Sequence, residues 1–510
     1  MTSLLVCWSW LAAATSPPPA AAAPTPAAAA PAPAAAPSPT PAAPAAPAAA
    51  PPAAPSPPPE APADADERMD RGLELLNAKK TRQGAAVLYA LYAALPETDL
   101  RRDGAAFRLA GALVDLGLVQ AGIEYYLEVL TGRRSPDLLG KTLGALKPLY
   151  ERGLIEEWRF LDGVVYGSQY GDLEPDVADF VEYLQSLGDL RLGFGSWGRA
   201  RLEALAASDR LYGWRARYLL AVDRVSQRAD EGAEKLLRQI LDNAAAPADV
   251  RNLASLALAR LLYEHKNYEE AWTLYAQVRL PLVEQDVVLL ERAWDRIASE
   301  DNQRALGMVV GLGAPIYRRV FAPERDLIRA MALRRLCQYR AAHLAVRDFR
   351  DHYGALVRKA RDRAGLREDA QIMEWAAWGT RLAPWARMRT RLHTEIAMVS
   401  QVGDDQLAEH LQNLYGARLA YTEQTLNRGL VRAIDQVVDE LLRVDEQMSL
   451  IDYEIGAGLM KPGGNRAGHL TARSGELPFG SAQAFFRFDG EYWSDELGDF
   501  SVISDDRCLR

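Results

Sequence analysis

The chain has six histidines and three cysteines, and their spacing assembles almost none of the familiar reactive sites. No pair of histidines shows the HExxH spacing that turns two ring nitrogens toward one zinc ion. No pair of cysteines has zinc-ligand spacing, and neither a GxSxG elbow nor a lysine-bearing phosphate loop occurs. Gly193-Phe-Gly195-Ser-Trp-Gly198 does satisfy GxGxxG. In a dinucleotide site that loop leaves a strand and opens a helix; here helical spacing flanks it on both sides, so it reads as a turn. Glu491, Asp495, Glu496 and Asp499 cluster near the end of the chain but lack an EF-hand loop, so no calcium site is expected. The expectation is no catalytic residue, no cofactor and no metal. An enzyme with a helical accessory region stays as the remote alternative, because a site assembled from distant positions leaves no local trace.

Cys337 and Cys508 are the two thiols that remain if an N-terminal leader bearing Cys7 is removed. Two readings stand. They are separate thiols, with Cys337 a small core residue, or they pair in an oxidising compartment and staple the tail to the helical body.

Net charge is −9, which argues against general nucleic-acid binding, since that needs an electropositive surface to displace counterions. Residues 4–14, LLVCWSWLAAA, are apolar but too short for a bilayer helix, which needs about 20 residues. Residues 1–15 read as a signal-peptide-like leader without the usual preceding Lys or Arg, and Cys7 follows a poor lipobox. The expectation is export to the periplasm or the periplasmic face of the outer membrane, with membrane association through the N-terminus only. Residues 16–65 are mostly Ala and Pro. Pro removes amide donors and disfavours helix before it, so this segment reads as an extended tether reaching on the order of 150 Å.

The elements that would position any site are helices. In SLALARLLYEHKNYEEAWTLYAQV, residues 255–278, Ala259 and Leu262 precede the polar turn His265-Lys266-Asn267. Tyr268, Ala271, Tyr275 and Val278 then recur at three and four on one face of a second helix. Ala271 is small where two backbones must approach. Small residues in like settings fall at Ala200, Ala233, Ala271, Ala305 and Ala342, in steps of 33, 38, 34 and 37. Earlier, weaker units surround Gly122 and Ala85. The reading is an all-α solenoid of helix-turn-helix units over 66–354. Over 355–458, Leu430, Ile434, Val437, Leu441, Val444, Met448, Ile451 and Ile455 alternate by four and three. That heptad seam fits a long helical hairpin capping the solenoid, or a coiled coil with a partner. Residues 459–510 are a Gly-rich linker and an aromatic, acidic tail. There Asp489-Gly490 predicts a β-hairpin between a Phe-rich arm and Tyr492-Trp493.

The period near 34 and the paired helices resemble the tetratricopeptide repeat family over about 180–354, with weaker extension back to 66. That resemblance implies a protein-binding superhelix whose first helices line a concave groove. Carried onto the matched repeats, the groove positions are Arg215, Tyr218, Arg260, Tyr263, Trp294, Arg334 and Arg335. Forked guanidinium donors beside rings suit a peptide with an acidic stretch or a free carboxyl terminus. The alternative is that these residues pack against neighbouring helices. The runs ERAWDRIASEDNQRAL and APERDLIRAMALRRLCQYRAA, followed later by DGEYWSDELGDF, look like envelope proteins of myxobacterial type, the gliding-motility tetratricopeptide lipoproteins (GltE/AglT-like). This implies a non-enzymatic scaffold whose partners are other envelope proteins. The second reading is a periplasmic adaptor for outer-membrane or cell-wall biogenesis.

Overall fold

The computed structural model describes residues 62, 64–161, 164–378, 382–461, 470–473, 490–504 and 508. The expected leader, all but the end of the expected tether, and the Phe485–Asp489 arm of the expected hairpin lie outside these residues.

Helices follow one another in pairs, each joined by a short turn. They are α1 Ala65–Asn77 and α2 Thr81–Ala94, α3 Arg101–Asp115 and α4 Val119–Gly132, and α5 Pro136–Glu151 and α6 Trp158–Leu161. Next come α7 Pro175–Arg191 with α8 Gly195–Leu205, α9 Leu211–Ser226 with α10 Asp230–Leu241, and α11 Ala248–Glu264 with α12 Tyr268–Gln277. Then follow α13 Asp286–Ala298 with α14 Asn302–Gly311, and α15 Glu324–Arg335 with α16 Tyr339–Asp362. The chain is an all-α solenoid of tetratricopeptide-like pairs.

One rule of sequence builds each pair. The second helix carries a buried small residue, and the first helix carries another twelve positions earlier. These pairs are Gly72 and Gly84, Ala110 and Gly122, Ser186 and Gly198, Ala221 and Ala233, Ala259 and Ala271, Ala293 and Ala305, and Ala330 and Ala342. The contact is tight. A methyl group on Gly122 would meet Ala110 O at 2.8 Å, and one on Gly198 would meet Ser186 O at 3.0 Å. The Gly198 contact corrects the expected register. Ala200 is exposed, and Gly198, two positions earlier, makes the contact.

The turn obeys a second rule. Five positions before each second small residue, the chain enters the left-handed region, at Lys79, Gly117, Gly193, Arg228, Lys266, Glu300 and Cys337. At each of these but Glu300 the next amide closes the helix end, as in Asn267 N to Leu262 O and Gln338 N to Leu333 O, both 2.9 Å. This is the Schellman termination, which satisfies the carbonyls a helix end leaves unpaired. It places Cys337 at a turn and half-buried, not in the core. The pair α5 and α6 departs from the rule. Gly153 takes the left-handed turn and Leu154 N closes on Leu149 O at 2.9 Å, but the following helix starts only at Trp158 and α6 is a single turn.

Two compact units result. One comprises the described residues up to Leu173 together with Met398–Gln412. In it Val399, Val402, Leu407 and Leu411 are buried, and His410 lies 5.1 Å from the Tyr89 ring and 6.2 Å from the Tyr125 ring. The other comprises Glu174–Ala397 and the described residues from Asn413 onward. Beyond the paired helices come α17 Ala370–Trp378, α18 Ala383–Val399 and α19 Asp405–Leu459, α18 and α19 turning at Gly403.

Within the second unit the heptad residues of α19, from Ile434 to Ile455, are buried in one core with Leu333, Val346, Phe349 and Val357 of α15 and α16. Ion pairs flank it, including Arg350–Asp452 at 2.8 Å and Arg363–Asp439 at 3.2 Å. The seam is therefore spent inside the chain, as a cap on the last repeat.

The tail packs on α14. Strand β1, Leu470–Arg473, pairs antiparallel with β2, Ser501–Ser504, in the register Leu470 with Ser504 through Arg473 with Ser501. Leu497, Phe500 and Val502 are buried. Gly307 and Gly311 make room: a methyl group there would fall 1.8 Å from Phe500 O and 2.2 Å from Leu497 O. The expected hairpin about Asp489-Gly490 is corrected, because residues 491–493 form no strand. The helix notch, not the local turn signal, sets where the tail pairs.

Candidate functional site

The seven groove positions all lie on first helices, or at their ends. Arg215 and Tyr218 sit on α9, Arg260 and Tyr263 on α11, Trp294 on α13, and Arg334 and Arg335 at the end of α15. Consecutive first helices lie side by side, so a long side chain on one reaches the next. Arg215 pairs with Asp249 of α11 at 3.6 Å. Arg260 clamps Glu291 of α13 with both prongs of its fork, at 2.9 and 2.6 Å. Trp294 Nε1 donates to Glu324 of α15 at 2.8 Å. Arg334 reaches Glu454 of α19 at 3.1 Å. Arg335 donates to the carbonyl of Ile297. A ladder of charged and aromatic contacts thus runs from helix to helix along the face.

Burial ranks these residues. Arg260 is only 5% exposed, so its charge is committed to Glu291. Arg215 keeps about a quarter of its side chain in solvent, at 23%. Tyr218 and Tyr263 are half-buried. Tyr263 meets the Tyr268 ring edge-on at 5.7 Å. Burial pushes the Tyr218 hydroxyl up to about 12, with Arg260 opposing, so Tyr218 is neutral and available as a donor at neutral pH. Arg260 alone of the seven is buried; Arg215, Tyr218 and Tyr263 are half-buried on α9 and α11, and Trp294, Arg334 and Arg335, also half-buried, bond to neighbouring elements.

A second cluster escaped sequence reasoning. Trp272 lies under two guanidinium groups, Arg292 at 3.9 Å and Arg296 at 4.7 Å. Arg296 is fully buried; it bonds Asp295 and Glu269, each at 2.7 Å, and Tyr268 O at 3.1 Å. Burial drives the Asp295 carboxyl up to about 6 and the Arg292 guanidinium down to about 10. The only sequence signal was the recurring Ala-Trp at 271–272 and 293–294. The cluster joins α12 to α13 through its buried Arg296 and Asp295, with Glu269 reaching solvent.

Cys337 and Cys508 lie at the end of α15, with Cys508 Sγ 3.1 Å from the Arg335 carbonyl oxygen. Their sulfurs lie at bonding distance, 2.03 Å, joining the turn of the last helix pair to the tail. Among the described residues no group of His, Cys, Asp or Glu is arranged to hold a metal, and no helix is long and apolar enough to cross a membrane.

No protein-family profile matches this chain, and no curated protein matches it. Among solved structures, the TPR domain of P58(IPK) aligns over 78% of this chain and 98% of its own, at 13% identity and a TM-score of 0.20. So loose a superposition carries no argument. The repeat assignment rests on the helix pairs, their small-residue register and their common turn.

Proposed function

We propose that this chain is a non-enzymatic scaffold that gathers other proteins in a bacterial envelope complex, of the gliding-motility kind. The observation that carries the reading is the first-helix face. Over α9 and α11 it carries Arg215, Tyr218 and Tyr263, all half-buried, in a chain of net charge −9. A guanidinium on a face that also carries rings favours an extended acidic segment, by charge and by contact area that costs little entropy. The apolar leader and the Ala/Pro tether support export, and the quoted sequence runs support the envelope setting.

Two experiments test it. Cell fractionation with intact-protein mass reads export; a cytosolic product retaining residues 1–14 contradicts it. Partner recovery from envelope fractions at low and high salt, with parent and Arg215→Glu, reads the face. Recovery should fall with salt, since exposed charges are screened over about 8–10 Å, and fall again with the reversal. Equal recovery in all four conditions removes the face from the account.

A further inference from the structure

A pocket of about 160 Å³ opens where the α14–α15 connection meets α16 and α17. None of the seven face residues lines it. Three rings wall it: Tyr317, Tyr353 and Trp375, respectively 3%, 3% and 5% exposed. Three cationic or protonatable side chains line it as well: Arg318, Arg325 and His352.

Two features distinguish it from a packing defect. The Tyr317 hydroxyl is buried and has no hydrogen-bond partner. A buried hydroxyl left unpaired is costly, so such groups in native proteins usually meet a partner. Arg325 is only weakly engaged: it reaches Leu312 O at 3.5 Å and Asp326 at 3.7 Å, both long for a guanidinium. Two carboxylates act on the lining residues from outside the pocket. Burial raises Asp326 above its usual range while Arg325 opposes, and it raises Asp286, which acts on Tyr317, to about 6. The lining itself carries positive groups and no acid.

Size narrows the occupant. A dry cavity of roughly this volume holds one benzene ring, so the pocket has space for a single ring or branched side chain. The ring walls suit an apolar body, and the cationic rim suits one negative group. We infer that this pocket binds a compact aromatic carboxylate, its ring against Tyr353 and Trp375, its carboxylate on Arg325 and Arg318, and an oxygen accepting from Tyr317. The same chemistry comes from two sources, a free small acid or the last residue of another chain. The inference stands independently of the proposed function.

The test is ligand-observed NMR on the full chain with 3-phenylpropionate and its neutral amide. The acid should bind saturably and the amide at least about tenfold more weakly, as loss of a charge-assisted pair implies. Arg325→Gln should weaken the acid about tenfold, and Tyr317→Phe about threefold to tenfold. If circular dichroism shows Arg325→Gln misfolded, the exposed Arg318→Gln replaces it, with several-fold weakening expected. A peptide ending in phenylalanine, as free acid and as carboxamide, separates the sources. Tighter binding of the free-acid peptide than of phenylpropionate identifies a chain terminus, and weaker binding identifies a small acid. Equal binding of acid and amide, no binding of either acid, or parent-like binding by the variants overturns the inference.

Discussion

Arg260 and Glu291 form the ladder contact most removed from water, 5% and 8% exposed. Removing one partner leaves the other buried and unpaired, so Arg260→Ala should cost about 3–5 kcal/mol in urea unfolding. Arg215→Ala, which breaks a longer pair with an exposed aspartate, should cost about 1 kcal/mol or less. Equal costs would mean that burial does not rank the ladder. Asp286 supplies a pH test. Desolvation at the start of α13 pushes its carboxyl from 3.8 up to about 6, so the native chain holds this proton more tightly than the unfolded chain does. The stability tied to that proton is complete below about pH 4 and is lost as pH rises toward 6. Asp286→Asn should therefore gain on the parent between about pH 4 and 6, by about 1 kcal/mol after allowing for solvent at a half-buried site. A difference that stays flat across that range would contradict the shift. The placement of these seven residues on first helices was legible at this scale, because Arg and aromatic residues recur at matching points of the repeats. Their engagement was not. Glu291 belongs to the repeat after that of Arg260, and Glu454, the partner of Arg334, comes from α19. No local spacing announces such partners.

At the scale of helices, the small-residue register predicts a contrast between two alanines. Ala271 is fully buried against α11, whereas Ala200 is exposed on α8. Ala271→Leu should cost about 1–3 kcal/mol by overpacking, and Ala200→Leu should lie within about 0.5 kcal/mol of the parent. Similar costs would place the register elsewhere. The helices and their pairing were readable because a helical period needs only neighbours. The slip to Ala200 arose because Gly198 and Ala200 are both small and periodicity alone could not choose. Two positions apart on a helix, they face different ways, and only Gly198 meets Ser186. The tail illustrates the opposite limit. Its pairing depends on Gly307 and Gly311, far upstream in the chain, whose role appears only when the backbone of Leu497 and Phe500 lies on them. Gly307→Ala should loosen the tail, read as faster proteolysis after Gly490 with the body intact. Unchanged proteolysis would mean that the notch does not seat it.

At the scale of the molecule, the heptad seam and the repeats share one task in the second unit. The seam residue Val444 is fully buried in the core it shares with α15 and α16. A solenoid needs its last repeat covered, and α19 supplies that cover from within the chain. The period of the seam was plain in the sequence, but whether it closes on this chain or on another depends on tertiary packing, which a heptad does not encode. The central claim is that the face of α9 and α11 receives a partner. Photo-crosslinking reads this most directly, with a benzophenone side chain placed singly at Tyr218, Tyr263 or the exposed Ala200, in cells. The account predicts that Tyr218 and Tyr263 capture the same segment of one envelope protein, that capture fades with added salt, and that Ala200 captures none of it. Capture of that segment equally from Ala200, or from none of the three positions, would contradict it.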